Sequence, residues 1–330
     1  MLSQIDPSVI LRSFVVGDGR RLAEAWTEAA PQDGMTELRL RDLVLLDRNF
    51  DPDGLIVAER QGRLVGAAYA VRRQVAHHGD DLEPGTGWIP FFFVTPEARG
   101  DGLGRALVTA ALEWLRARGV SEVYFSNYTP NYVLPGLDAD RYPAAARLLS
   151  SLGFAVSERP SAMDRSLVGY ELPAEIRARV KELRAEGWTF GTPTGDELVP
   201  LVGVAAEFSS DWARAIREGV LGGMPLERIV VARDPEGTIL GWAMHGTYEA
   251  VVDRFGPFGV LPQSRGTGLG KVLLHLTLER MAAVGAHGAW FLWADEGSVA
   301  SELYSRTGFR VTRTFNILRA ELARPEVEQS

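Results

Sequence analysis

The chain of 330 residues has no cysteine, which excludes disulfides, thiolate zinc sites and a cysteine nucleophile. It has no apolar run of ~18 residues, so no membrane span is expected. It has no excess of positive charge. Lys and Arg number 35 against 43 Asp and Glu, a net charge of −8. A nucleic-acid partner bound by neutralising its phosphates is therefore not expected, although a local basic site stays open. The first residues, MLSQIDPSVI, lack the basic and apolar segments of a secretory signal, so a cytoplasmic protein is expected. Neither H-E-x-x-H nor G-x-S-x-G occurs, leaving zinc-protease and serine-hydrolase readings without support. What is present is ordinary globular material: 46% apolar and 24% charged residues. At roughly 150 residues per domain, the length suggests two domains.

The chain repeats itself. Pro96-Glu-Ala-Arg-Gly-Asp-Gly-Leu-Gly-Arg-Ala-Leu-Val108 matches Pro262-Gln-Ser-Arg-Gly-Thr-Gly-Leu-Gly-Lys-Val-Leu-Leu274 at an offset of 166 residues. The same offset pairs Gly119 with Gly285 and Val123-Tyr124-Phe125 with Ala289-Trp290-Phe291. Around each copy the elements agree. In the first half, Leu55–Ala58 and Leu64–Val71 flank the turn Arg60–Arg63 as a hairpin, and Trp88–Val94 is a continuous apolar strand. A helical stripe then runs from Leu103 through Leu107, Ala111 and Leu115 to Gly119. Val123–Ser126 is the next strand and Ala144–Leu152 the next helix. The second half gives Ile229–Ala232, Ile239–His245, Phe255–Val260, a helix over Leu269–Ala283, and Ala289–Trp293. Strand, glycine loop, helix and strand form a βαβ crossover, which predicts an α/β fold with a mixed, partly parallel sheet flanked by helices in each half.

The expected division is an N-terminal domain at 1–172, a helical connector at 173–187 and a C-terminal domain at 188–330. The connector carries Ile176, Val180 and Leu183 on one side. That stripe fits either a helix packed on one domain or a solvated linker. The tail from Arg324 to Ser330 is expected to fray.

A glycine loop between strand and helix is the usual phosphate cradle, because amides converge there and the helix N-terminus adds partial positive charge. A Cβ would hold the phosphate away from those amides. A P-loop requires G-x-x-x-x-G-K-[ST]. Here Lys271 is followed by Val272, and Arg265 stands five positions before Gly270, so the match fails twice. The dinucleotide spacing G-x-G-x-x-G fails as well. The spacing that fits is R-x-x-G-x-G, at Arg99-Gly-Asp-Gly102-Leu-Gly104 and Arg265-Gly-Thr-Gly268-Leu-Gly270.

This motif and its flanks resemble the acetyl-CoA loop of the GNAT superfamily of N-acetyltransferases. The last helix agrees too, as Ser298-x-x-Ser301-x-x-Tyr304-x-x-x-Gly308-Phe309. The likeness covers nearly the whole chain twice and so implies two tandem GNAT-like domains. It implies that the amides around Arg99, Gly100, Gly102, Gly104 and Arg105, and around Arg265, Gly266, Gly268, Gly270 and Lys271, hold the coenzyme A pyrophosphate. It implies that the backbone at Val94 and Val260 meets the thioester, beside a bulge that splays this strand from the next. Pro90 and Pro257 interrupt those strands, as a broken ladder would require.

Acetyl transfer to an amine needs the amine neutral, although an alkylamine has a pKa near ~10. It also needs a donor for the oxyanion and an acid for the thiolate. The resemblance places the acid at Tyr304. The equivalent position in the first half is Leu149, which points to the C-terminal half as the catalytic one. Base candidates are Glu249 and Asp253, before the strand Phe255–Val260, with Asp295, Glu296 and His245 behind them. Each of these also reads as a solvated or structurally satisfied group. The segment Asn127–Arg141 carries Tyr128, Tyr132, Asp138 and Asp140, with Tyr142 following; it reads equally as a grip for a cationic or sugar-like substrate and as an inert packed loop. His77-His78 with Asp80-Asp81 suggests a metal only weakly, since adjacent loop residues seldom converge on one ion, and no metal is expected.

The expectation is an acetyl-CoA-dependent N-acetyltransferase. It would move the acetyl group by direct transfer, since no nucleophile stands out, to the primary amine of a small molecule. The alternatives are a non-catalytic acyl-CoA sensor or scaffold, and a protein or peptide N-acetyltransferase. The oligomeric state stays open.

Overall fold

A computed structural model describes residues 6–77 and 81–322, which leaves His78, Asp80 and the tail expected to fray outside the described residues. The chain forms two compact units. One comprises Met1–Pro160 with Thr314–Ser330, and the other Ser161–Arg313.

The first unit begins with β1 (Val9–Ser13), α1 (Asp18–Ala29) and the short α2 (Glu37–Leu40). The hairpin of β2 (Leu55–Arg60) and β3 (Arg63–Val71) forms as expected, with Arg60 opposite Arg63. Both turn residues lie at positive φ, Gln61 at 51° and Gly62 at 78°, the geometry whose twist matches paired strands. Then come β4 (Thr86–Val94), α3 (Leu103–Arg116), β5 (Glu122–Phe125), α4 (Pro143–Ser151) and β6 (Ala155–Glu158).

The second unit runs through β7 (Pro160–Ser166), α5 (Ala174–Ala185), β8 (Thr189–Gly191), α6 (Leu198–Ala206), α7 (Ser210–Leu221), β9 (Ile229–Arg233) and β10 (Ile239–His245). It continues with β11 (Phe255–Val260), α8 (Leu269–Ala283), β12 (Gly288–Asp295), α9 (Val299–Arg306) and β13 (Arg310–Thr314). The last strand, β14 (Ile317–Glu321), returns to the first unit.

The first unit's sheet has seven strands in the order β1-β2-β3-β4-β5-β14-β6. Among the described residues its one parallel pair is β4 with β5, the pair linked by the α3 crossover. Side chains alternate between two cores. Leu107, Leu115 and Leu149 pack on Ile89, Val123 and Phe125 on one face. Leu22 and Trp26 pack on Tyr69, Trp88, Phe91 and Phe93 on the other.

The second unit has a four-stranded sheet, β11-β10-β9-β8, and a three-stranded sheet, β12-β7-β13. The crossover strands β11 and β12 thus lie in different sheets, joined by one isolated parallel bridge, Arg254 to Trp290. Among the described residues, the parallel ladder expected in this half is reduced to that contact.

The expected boundary near 172 does not coincide with the division of the units. β14 lies between β5 and β6 of the first unit, while β7 lies between β12 and β13 of the second. The physical reason is edge pairing. Leu318 and Ala320 of β14 pair with Phe125 and Val123 of β5 and add to the first core, so each unit's sheet is completed by a strand from the other part of the chain. The expected connector is α5, and it belongs to the second unit. Its stripe of Ile176, Val180 and Leu183 is buried with Leu172 and Val272, so the packed alternative holds and the solvated one does not.

Candidate active site

In the first unit the site is made by a strand that loses one neighbour. β4 pairs with β5 only over Thr86–Ile89, ending at Ile89 opposite Phe125. The Ser126 N–H donates to the Ile89 carbonyl at 2.9 Å as the last rung. Pro90 follows and has no N–H to continue the ladder. Beyond it β4 stays paired with β3 as far as Val94 opposite Gly66. The Thr95 N–H donates to Val65 on the β3 side, so alternation turns the Val94 N–H toward the opposite, open edge.

That open edge forms part of a cleft of about 850 Å³. Its walls include Trp26, Phe91, Phe92, Phe125, the loop at Arg99–Arg105 and the start of α4. In the loop, Gly100 has φ +105° and Gly102 has φ +80°. Gly102 is the N-cap of α3, so a left-handed residue starts the helix and the first amides of α3 are left without intrahelical partners. Gly104 is close-packed, since a Cβ there would lie 3.3 Å from Leu148 Cδ2 and 3.6 Å from Val94 Cγ2.

The Arg99 guanidinium braces the loop. It donates to the Val94 carbonyl at 3.0 Å and to the Ala29 carbonyl at 2.8 Å. Arg105 donates to Ser151 Oγ at 2.6 Å.

The second unit repeats the arrangement. β11 pairs with β10, Gly241 opposite Val260, and the Leu261 N–H donates to Leu240, so the Val260 N–H also faces the open edge. Gly266 and Gly268 have φ +79° and +84°, and Gly268 is the N-cap of α8. A Cβ on Gly270 would lie 3.4 Å from Phe258 and 3.6 Å from Val260, as Gly104 packs in the first loop. Lys271 pairs with Glu175 of α5 at 3.7 Å. Arg179 of α5 donates to the Thr267 carbonyl at 3.2 Å.

Tyr304 sits on α9, 8% exposed. Its ring lies in an aromatic cluster, 4.5 Å from Phe291 and 5.6 Å from Phe309 between centroids. Burial pushes its phenol above the ordinary value, so it keeps its proton throughout the neutral range. Leu149, at the equivalent place in the first unit, is fully buried and has no proton to give.

The base candidates are not gathered into one constellation. Glu249 is ion-paired with Arg254 at 3.1 Å, and Arg254 stacks over Tyr248 and Trp290. Asp253 uses its backbone carbonyl to accept from the Trp290 N–H at 3.0 Å. Asp295 accepts from Trp293 Nε1 at 2.8 Å. His245 lies within hydrogen-bond reach of the Val252 carbonyl through Nδ1, at 2.9 Å, and burial lowers its pKa.

The segment after β5 is packed in one part and borders the cleft in another. Tyr128 is buried against Trp88 and donates to Asp47, so that part is packed. Asp138 and Tyr142 instead line the cleft. His77 Nε2 lies 3.2 Å from Asn49 Nδ2 and 3.3 Å from the Tyr128 hydroxyl. Among the described residues no group of three His, Asp or Glu is placed to hold a metal, and no helix is long and apolar enough to cross a membrane.

The sequence reading missed Asp33 and the turn Pro31–Asp33, which also line the cleft. No motif marks them; their only signal is that the turn follows an amphipathic helix.

Twin glycine loops at helix starts, each beside a strand that parts from its crossover neighbour, define the class. Residues 19–133 match the acetyltransferase (GNAT) family and residues 225–311 the acetyltransferase (GNAT) domain. The chain belongs to the GNAT family of acetyltransferases, with two such domains in tandem. Among curated relatives, it is similar to the mycothiol acetyltransferase of Stackebrandtia nassauensis, 39% identical over 124 residues, which are 35% of this chain and 38% of that protein. It is similar to the mycothiol acetyltransferase of Cellulomonas flavigena, 34% identical over 142 residues and 39% of each chain. These matches span well under half the length of the relatives. Among solved structures, the fold is similar to a GCN5-related N-acetyltransferase from Sphaerobacter thermophilus, with TM-score 0.72, 20% identity and 98% of both chains covered. It is also similar to a tandem GNAT protein from the clavulanic acid biosynthesis pathway, with TM-score 0.65, 17% identity, and 96% and 100% covered.

Proposed function

We propose that the protein transfers the acetyl group of acetyl-CoA directly to a primary amine of a small molecule, and that the C-terminal half is a catalytic centre. The observation that carries this reading is the parting of β11 from β12 beyond the Arg254–Trp290 bridge, beside the loop that starts α8. The gap is an entry for an extended thioester arm, and the loop's amides are a seat for its diphosphate. The relatives named mycothiol acetyltransferases support a small-molecule acceptor.

In this reading the thioester carbonyl accepts from the Val260 N–H, an oxyanion donor fixed before the reaction starts. The neutral amine attacks the carbonyl carbon, the C–S bond breaks, and the thiolate is met by the Tyr304 hydroxyl. A phenol raised above ~10 is a weaker acid than a thiol near ~8.5. Full proton transfer from Tyr304 is therefore uphill, and its main contribution is a hydrogen bond to the developing thiolate. Glu249 and Asp253 are the proposed routes by which the amine's proton leaves the second unit.

Calorimetric titration with acetyl-CoA tests the reading, with two equivalents expected per chain. A panel of small primary amines then tests turnover through coenzyme A release. Tight binding with no amine accelerating release would favour a sensor, and acceleration only by peptide N-termini would favour a protein acetyltransferase.

A further inference from the structure

We propose that the N-terminal unit is a second acetyl-transfer centre, in which Tyr142 protonates the departing thiolate and Asp33 takes the amine's proton. The proposal rests on the reading above that the glycine loop at Arg99–Arg105 holds acetyl-CoA.

The N-terminal unit lacks the helix tyrosine, because Leu149 is fully buried. The cleft supplies another phenol. Tyr142 is the N-cap of α4, seven residues before Leu149 and so two turns up the same face of that helix. It lines the cleft together with Val94 and the glycine loop, and its hydroxyl donates to Asp33 Oδ2 at 2.5 Å. This bond links two segments more than 100 residues apart in sequence, both in the lining of one cavity.

Both partners are held in place. The Asp33 carbonyl accepts from Trp26 Nε1 at 2.8 Å, and the Tyr142 N–H donates to the Asp138 carbonyl at 2.9 Å. Arg99 ties the glycine loop to the end of α1 through the Ala29 carbonyl, so the loop and the Asp33 turn share one frame. Asp138, the other cleft carboxylate, is paired with Arg141 at 3.3 Å and serves the loop itself. Trp26, Phe91 and Phe93 line the same cleft, with Trp26 tilted against Phe91 at 4.4 Å between centroids. An aromatic wall next to a carboxylate fits a cationic amine as it arrives, and the cleft volume of about 850 Å³ suits a small acceptor.

The step balances. The arriving ammonium gives one proton to solvent. The neutral amine nitrogen forms a bond to the carbonyl carbon, and the C–S bond breaks. The nitrogen's surplus proton passes to the Asp33 carboxylate. As the thiolate takes the Tyr142 proton, Asp33 hands the amine's proton to the Tyr142 oxygen along the existing hydrogen bond, so no phenolate, a stronger base than a thiolate of pKa ~8.5, is left behind. The products are the amide and coenzyme A, with both residues restored.

The test uses the full chain carrying Tyr304→Phe, so that the C-terminal centre is slowed. Release of coenzyme A to a panel of small primary amines is followed with a thiol-reactive dye, which meets no protein thiol because the chain has no cysteine. A residual amine-dependent rate is expected that exceeds what the slowed C-terminal centre supplies, so that most of it is open to loss by changes in the N-terminal cleft. Adding Tyr142→Phe should lower it at least tenfold, and Asp33→Asn by a similar factor. The two together should be no slower than either alone, as for residues acting as one relay. Bound acetyl-CoA should stay at two equivalents in every variant. The proposal is overturned if Tyr304→Phe alone abolishes amine-dependent release, or if Tyr142→Phe leaves the residual rate unchanged. One equivalent bound overturns it by a separate route, since the coenzyme reading of the N-terminal loop then fails before the assignment of Tyr142 is reached.

Discussion

Replacing Tyr304 by Phe removes one oxygen and keeps every ring contact. Phe291, Phe309, Phe255 and Phe258 surround that ring at 4.5 to 6.2 Å between centroids, so the cluster stays filled. On the proposed mechanism, what is lost is a hydrogen bond to a developing thiolate. Bonds to charged groups are worth about 1.5–3 kcal/mol, and ~1.36 kcal/mol is tenfold in rate. The C-terminal centre should therefore slow by roughly 10- to 150-fold, with little change in KM because the ground-state thioester sulfur carries no charge. Turnover is read as coenzyme A release in a Tyr142→Phe background, so that the other cleft contributes a tenth or less of its rate. The melting temperature should move by no more than about 4 °C, the equivalent of ~1 kcal/mol in a domain of this size. Leu149→Ala is the counterpart. It opens a cavity under a fully buried residue and should cost about 2–5 kcal/mol of stability, while leaving the C-terminal rate nearly intact. A loss under about threefold for Tyr304→Phe, or an equal loss for Leu149→Ala, would refute both the assignment of the acid and the asymmetry between the halves.

Gly268→Ala should strain the left-handed N-cap of α8, at φ +84°, by about 1–2 kcal/mol and weaken acetyl-CoA at the second loop alone, which calorimetry would register as one weakened site of two. His275 is buried, with the Tyr170 hydroxyl 2.7 Å from its Nδ1, and burial lowers its pKa to about 4. The unfolded chain takes up that proton near ~6.5, so this residue's share of stability is complete above pH 6.5 and is lost as pH falls from 6.5 toward 4. Melting curves across that range should flatten in His275→Gln; an unchanged slope would show that other groups set the acid limit.

Much of this architecture can be read in the sequence because the repeat carries its own internal check. The stripe from Leu103 to Leu115 and the glycine spacing at Gly102 and Gly268 recur with the same flanks, and the strands and helices around them lie where periodicity places them. The strand exchange is not legible. Ile317–Glu321 has an alternation that suits any half-buried edge, and nothing local states that its partners are Val123 and Phe125. The glycine loops are legible because positive φ calls for glycine, as at Gly100, Gly102, Gly266 and Gly268. Asp33 is not, since its partner Tyr142 is met across a fold that local pattern cannot close. Asp47 is similar: a buried carboxylate held by Tyr128, Asn131 and the Asn49 N–H looks in sequence like any surface acid.

The placement of β14 also bears on how the chain acquires its shape during synthesis. The ion pair of Arg319 with Glu122 spans 197 positions, and the strand carrying Arg319 leaves the ribosome about 160 residues after β6. At ~5–20 residues per second, the early sheet waits roughly 10–30 s for its missing member. Until then β5 and β6 face an empty slot, a sticky edge that in the finished fold is filled by the chain's own far end. Cutting the molecule midway would make that wait permanent, so the duplication has become one indivisible folding problem instead of two consecutive ones.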